Sequence, residues 1–206
     1  MRRIIALCLG LFTLTPAEAE MYKGTETPVF TVQGTFEGAE LRSYGPRVTA
    51  EVTVGGSRSG AASAGFRILA SYIFGGNAGS AKIAMTAPVA QLPDDAANGN
   101  FGPATSPGAR QNWTVRFTMP AQYTLSTLPA PDDPRIRLLQ TAPGRMLVLE
   151  FSGWPTDAAL AEQRARLLSI ADQAGLTPAG APEFLFYDSP FTLPWNRRNE
   201  VALPVE

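Results

Sequence analysis

The sequence contains no histidine, and cysteine occurs once, at Cys8. Without histidine the chain has no Ser-His-Asp or Cys-His catalytic group and no imidazole ligand for zinc or iron. An excess of charge is also lacking: 17 basic residues stand against 18 acidic residues, so neither nucleic acid nor an acidic partner is favoured. Hydrophobic residues make up 45% of the 206 positions, which is enough for a globular core.

The beginning of the chain has the pattern of a secretory signal. Two arginines precede an apolar run of eleven residues, Ile4 to Leu14, and small residues at Ala17 and Ala19 fit a cleavage site after Ala19. A bilayer span needs about 20 residues. We therefore expect residues 1–19 to be a signal peptide, with a retained signal anchor as the alternative. The mature protein, residues 20–206, would be periplasmic or secreted and not stably inserted in a membrane.

Both halves of the mature chain show the same order of patterns. Segments that alternate apolar and polar residues predict strands, then one helix follows, then further strands. The helices are predicted near residues 60–74 and 156–174, the second capped by Thr156 or Asp157 and followed by Gly175. Eight or nine strands with two helices predict an α+β fold, an antiparallel barrel-like sheet with the helices packed outside it.

Residues 93–111 interrupt this pattern, because they are mainly proline, glycine, asparagine and alanine with little apolar surface to bury. We predict a mobile loop inserted between two strands, with a lid as the alternative. The glycine-rich segment Gly75–Lys82 lacks the Gly-Lys-Ser/Thr ending of a phosphate-binding loop. We assign no catalytic residue and no metal ligand.

Four segments, in the correct order, resemble the SOUL family, which is also called the haem-binding protein family. These segments are Lys82–Val89 (KIAMTAPV, predicted as part of a strand), Phe117–Ile136, Leu149–Gly153 and Tyr187–Val201. The resemblance covers almost all of residues 28–205 and implies one domain over residues 20–206. It also implies a distorted eight-stranded antiparallel barrel-like sheet with two flanking helices, built by pseudo-twofold duplication.

The resemblance implies that haem or another tetrapyrrole lies in a hydrophobic groove beside the first helix. The cofactor-binding residues expected there are Phe66, Arg67, Leu69, Ala70, Ile73, Lys82 and Met85. The apolar helical residues among them recur at the spacing of one stripe, Met85 would face that stripe, and Arg67 and Lys82 are the nearby cations. A simple core position for the stripe is the alternative.

We therefore predict an exported, non-enzymatic, monomeric carrier of haem, a related tetrapyrrole or another planar amphipathic ligand. The alternatives are an enzyme that removes iron from haem and an envelope interaction module without a small ligand. Because histidine is absent, affinity would rest on burial. About 400 Å² of apolar porphyrin surface at about 25 cal/mol/Å² gives about 10 kcal/mol gross. An association cost of about 4–15 kcal/mol then predicts micromolar binding.

The remaining motif residues are predicted to serve the fold. Thr86, Pro88, Met119 and Pro120 fall at strand ends, where proline stops ladder pairing and turns the chain. The polar segment Arg197–Glu200 precedes the last predicted strand, and we expect it to fix that strand through salt bridges and hydrogen bonds. Direct ligand binding is the alternative for both groups.

We expect export to remove residues 1–19 and to leave Glu20 as the new N-terminus. The intact mass of the protein from a periplasmic extract measures this directly. An unprocessed species fixed to membranes would contradict the prediction.

Overall fold

Antiparallel pairing joins the strands into one large sheet and one small hairpin. The computed structural model describes residues 21–93 and 111–206, which form eleven strands and two α-helices. The strands are β1 (Met21–Tyr22), β2 (Thr25–Glu26), β3 (Phe30–Phe36), β4 (Ala39–Tyr44), β5 (Arg47–Gly56), β6 (Val89–Pro93), β7 (Gln111–Thr118), β8 (Arg137–Thr141), β9 (Gly144–Phe151), β10 (Glu183–Phe186) and β11 (Asn199–Val205). The helices are α1 (Arg58–Ile73) and α2 (Asp157–Gln173).

The large sheet has nine strands in the order β3-β4-β9-β11-β10-β6-β7-β5-β8. The α+β class is confirmed, but the eight-stranded barrel is wrong, because the edge strands β3 and β8 do not pair and the sheet stays open. A β-bulge between Val32 and Gly34 disturbs the pairing of β3 with β4, and such bulges bend and twist an edge strand. The pair β6–β10 lies between β7, β5, β8 and β11, β9, β4. Pseudo-twofold duplication stays a prediction.

Side-chain caps begin both helices. The Ser57 hydroxyl accepts from the Gly60 amide at 3.2 Å, and the Thr156 hydroxyl accepts from the Ala159 amide at 3.2 Å. Each cap satisfies one amide that the first helical turn leaves free. After α2, Gly175 has a φ of 66°, a left-handed conformation that favours glycine. The predicted helices and the Thr156 cap are thus confirmed.

The helix α1 packs on β5 and β7, and α2 packs on β9 and β11. At the α1 contact, a Cβ atom on Gly65 would lie 2.5 Å from Cγ2 of Val115. Glycine therefore allows the helix to approach the sheet closely. Beneath α1, the fully buried Leu69 and Ile73 belong to one cluster with Val52 and Val115. A second cluster lies beneath α2 and includes Leu160, Leu167, Ile170 and Ala171.

The segment Lys82–Pro88 is not the strand that the sequence predicts, since β6 begins only at Val89. Pro88 has no amide hydrogen for a ladder. Thr86 instead forms an isolated bridge with Glu26, and its hydroxyl donates to the Thr118 carbonyl. This segment carries the chain from α1 back to the sheet.

Two sequence predictions fall wholly or mostly outside the described residues. The predicted signal peptide is one of them. Of the predicted loop 93–111, Pro93 ends β6 and Gln111 begins β7, and the rest lies outside. Within the described residues, no helix is both long enough and apolar enough to cross a membrane.

A buried carboxylate, Glu200 of β11, bonds three other side chains and has no exposed surface. It accepts from Arg42 at 3.0 Å, from Arg198 at 2.7 Å and from the Tyr187 hydroxyl at 2.9 Å. Desolvation alone would lower the pKa of Arg42, but the Glu200 carboxylate raises it above its usual value. Burial and the same carboxylate raise the pKa of Tyr187, which keeps its proton as a donor.

The neighbouring polar residues bond backbone carbonyls. Arg197 donates to Thr192 at 2.9 Å and to Ser189 at 3.0 Å, and the Asn199 amide donates to Gly153 at 3.1 Å. The predicted role of the segment Arg197–Glu200 in fixing the last strand is confirmed by these bonds.

We expect Arg42→Met to lower the free energy of unfolding by about 3–5 kcal/mol, because it removes one cation from a buried carboxylate. Urea unfolding measures the loss. The matched control is Glu150→Gln, since Glu150 is a 56% exposed partner of Arg198 in the same network, and such exposed pairs contribute about 1 kcal/mol or less. Equal losses in both variants would contradict the prediction.

Candidate functional site

A cleft of about 350 Å³ opens at one end of the sheet. Three chain segments form most of its walls: residues 26–29 before β3, residues 45–48 at the start of β5, and residues 118–121 and 123–124 at the end of β7 and after it. Thr86 and Gln140 complete the lining. The volume lies near the lower end of the range for small-molecule sites, about 300–1,000 Å³.

The lining of the cleft is amphipathic. Its apolar surface comes from prolines and from Val29, Val48, Met119 and Tyr123. Its polar groups include four threonines, at positions 27, 86, 118 and 124. Apolar walls with a few polar groups suit a ligand that has an apolar body and a polar end.

Hydrogen bonds hold the walls of the cleft together. The Glu26 carboxylate accepts from the Ala121 amide at 2.7 Å, and the Glu26 carbonyl accepts from the Ala87 amide at 2.9 Å. The segment before β3 is thereby tied both to the segment after β7 and to the chain before β6. These bonds fix the walls of the cleft relative to one another.

A smaller cavity of about 30 Å³ adjoins the cleft and shares three lining residues with it, namely Pro28, Arg47 and Thr118. Its other walls include Glu183 and Tyr187. A volume of this size holds about one or two water molecules. This smaller cavity, called the inner cavity below, extends the cleft toward the charged face of the sheet around Glu183, called the polar face below. It does not make room for a large ligand.

Ion pairs line the polar face beside the inner cavity. Arg116 bonds Glu183 at 2.9 Å and also bonds Glu51, and Arg137 lies 3.6 Å from Glu51. Desolvation alone would lower the pKa of Arg116, but these two carboxylates raise it above its usual value. The positive charge of Arg116 is therefore fully engaged by protein carboxylates.

The seven residues predicted to bind a cofactor do not line this cleft. Leu69 and Ile73 are 0% and 1% exposed and lie in the core beneath α1. Phe66 is 41% exposed and contacts the Phe117 ring edge-on at 5.5 Å. Of the other four, Ala70 and Met85 are half-buried, and Arg67 and Lys82 are exposed. The apolar stripe is thus divided between core and surface.

Residues that the sequence predicted to serve the fold at strand ends lie at the cleft instead. Thr86, Met119 and Pro120 line it, and Pro88 lines the inner cavity. Their position at strand ends could have indicated the cleft in the sequence, because clefts form where strands end and loops begin. Arg47 carries no comparable signal in the sequence.

The side chains that line the cleft are better suited to cover a porphyrin ring than to coordinate its iron strongly. The apolar side chains can cover a ring face, and Arg47 supplies a cation. Met119 and Tyr123 are side chains of the cleft that belong to the known classes of axial haem ligand. Within the described ranges 21–93 and 111–206, no group of three or more acidic or cysteine side chains could hold a metal ion.

Comparison with known proteins identifies a family and a shared fold. A family model described as SOUL heme-binding protein matches residues 25–204. No curated protein sequence matches the chain. The C-terminal domain of EcmrR is similar with a TM-score of 0.59 at 12% identity, over 82% of this chain and 96% of that chain. A hydrolase from Listeria innocua has a TM-score of 0.57 at 15% identity, over 84% and 94%.

We expect Leu69→Ala to lower the free energy of unfolding by about 2–5 kcal/mol, because the fully buried side chain would leave a cavity. The matched control is Leu167→Ala, whose side chain is equally buried beneath α2 and should give a similar loss. Urea unfolding measures both. If Leu69→Ala kept its stability and lost affinity for a ligand, Leu69 would line a groove.

Proposed function

The chain belongs to the SOUL heme-binding protein family, and from this we propose that it is an exported, non-enzymatic carrier of a small ligand. The ligand is haem, a related tetrapyrrole or another planar amphipathic molecule, and it binds in the cleft. The observation behind this function is a cleft of about 350 Å³ with amphipathic walls.

The shape and lining of the cleft support a ligand that is only partly covered. Val48 and Met119 are hydrogen-bonded neighbours that both line the cleft, so an apolar ring can lie against the surface that they form together. A volume near the lower end of the usual range leaves part of a porphyrin in solvent. Partial burial keeps the affinity micromolar, which suits a carrier that must also release its cargo.

Bound haem would supply an iron atom capable of redox chemistry and ligand exchange. Met119 and Tyr123 are the side chains of this cleft whose sulfur and hydroxyl could hold the iron. Since the sequence has no histidine, no side-chain imidazole of this chain would hold it.

A carrier is favoured over an enzyme by the state of the acidic group in the cleft. An enzyme that removes iron from haem needs a proton donor at the ring. Among the described residues that line the cleft, the one carboxylate is Glu26, and that group accepts from the Ala121 amide at 2.7 Å. Glu26 is therefore occupied in holding two walls together.

Export is supported by the first nineteen residues, whose charged start, short apolar run and small residues before position 20 fit a cleavable signal. The carrier would then act in the periplasm or outside the cell. We propose that it acts as a monomer.

We expect haem to bind the protein with micromolar affinity and Ala121→Trp to weaken binding at least tenfold. Ala121 lies exposed on the wall of the cleft, so an indole there fills the space without disturbing the core. An absorbance titration measures the affinity, and melting temperatures show that the variant is folded.

The matched control is Ala70→Trp, a half-buried position on the surface of α1, which should leave binding unchanged. If Ala70→Trp blocked haem and Ala121→Trp did not, the ligand would lie beside α1 and the cleft would be the wrong site. Absence of haem binding by the unaltered protein would refute haem as the cargo.

A further inference from the structure

Arg47 lies between the cleft and the inner cavity and lines both of them. It begins β5, where it is paired with Thr141 of β8. Its guanidinium stacks over the Tyr44 ring at 4.4 Å. The backbone pairing and the stacking hold this cation at one place in the site.

Among the described residues, the Arg47 guanidinium makes no hydrogen bond and no ion pair, and its Nε atom is buried without a partner. The carboxylate that attracts it, Glu183, is bound by Arg116 at 2.9 Å. Burial lowers the pKa of Arg47, which attraction to Glu183 offsets only in part. Arginine nevertheless stays protonated in proteins. Arg47 is half-buried and lines the cleft without a partner for its charge in the described part of the chain, so an anionic group in the cleft can pair with it.

The ion pairs beside Arg47 leave its own charge unpaired. Arg116 is bound by Glu51 and Glu183, and Arg137 is paired with Glu51. Among the described residues of this cluster, Arg47 is left as the one guanidinium without a paired carboxylate. One monoanionic group would balance it, whereas a phosphate monoester brings about 1.5 to 2 negative charges.

We propose that Arg47 is the receptor for a carboxylate of an amphipathic ligand that occupies the cleft. A guanidinium presents parallel N–H donors that match the two oxygens of a carboxylate. The apolar walls then cover the body of the ligand while its acid group reaches Arg47. This inference rests on the proposed function and names the chemical group by which the cleft selects its cargo.

The test compares acids with their esters on the unaltered protein. The probes are protoporphyrin IX and its dimethyl ester, and dodecanoate and methyl dodecanoate, each titrated by calorimetry. A charge-assisted hydrogen bond to the acid predicts that each acid binds at least about tenfold more tightly than its ester. This comparison does not depend on the folding of any variant.

The variant Arg47→Met removes the charge and the N–H donors but keeps an unbranched apolar side chain. We expect it to lose the preference for acids and to bind the esters as the unaltered protein does. The matched control is Arg137→Met, because Arg137 belongs to the same cluster but is 60% exposed and lines neither cavity. It should keep the full preference.

The outcomes separate this inference from the proposed function. Equal binding of acid and ester, or full acid preference in Arg47→Met, would overturn the role of Arg47 and leave a tetrapyrrole carrier in place. Acid-selective binding of dodecanoate without porphyrin binding would support Arg47 and overturn the tetrapyrrole. If none of the four probes bound, both would be overturned.

Discussion

The fold depends on a carboxylate that solvent does not reach. Glu200 lies in β11, and its partners come from β4 and from the two ends of the connection between β10 and β11. An ionised carboxylate in a protein interior is costly unless it is fully paired. The pairing therefore fixes these chain segments relative to one another. Since β11 also bonds β9 and β10, the same residue fixes the middle of the sheet.

The candidate site is coupled to this network through Tyr187. Its hydroxyl donates to Glu200, and its side chain lines the inner cavity beside the cleft. The polar face of the sheet thus has two neighbouring charge clusters, which differ in whether the protein itself balances their charges. Around Glu200 the charges are satisfied by the protein itself, whereas the cluster around Arg47 keeps one cation without a protein counterion. Stability and recognition are divided between these two clusters.

Local patterns predicted the helices to within two residues, because caps and helical spacing are properties of neighbouring residues. The same spacing placed Leu69 and Phe66 on one stripe, yet β5 and β7 cover the first and leave the second 41% exposed. The sequence did not predict that the sheet stays open, since closure depends on whether β3 pairs with β8. It did not predict the position of Arg47 either, because the neighbouring residues Arg116 and Glu183 come from distant strands.

The place of β11 in the sheet sets the order in which the chain can fold. β11 follows every other described strand in the sequence, yet it lies between β9 and β10. Until it is available, β3, β4 and β9 have no strand that joins them to the other five. The sheet consequently cannot be completed before β11 is available, and such late, long-range pairing is expected to fold slowly.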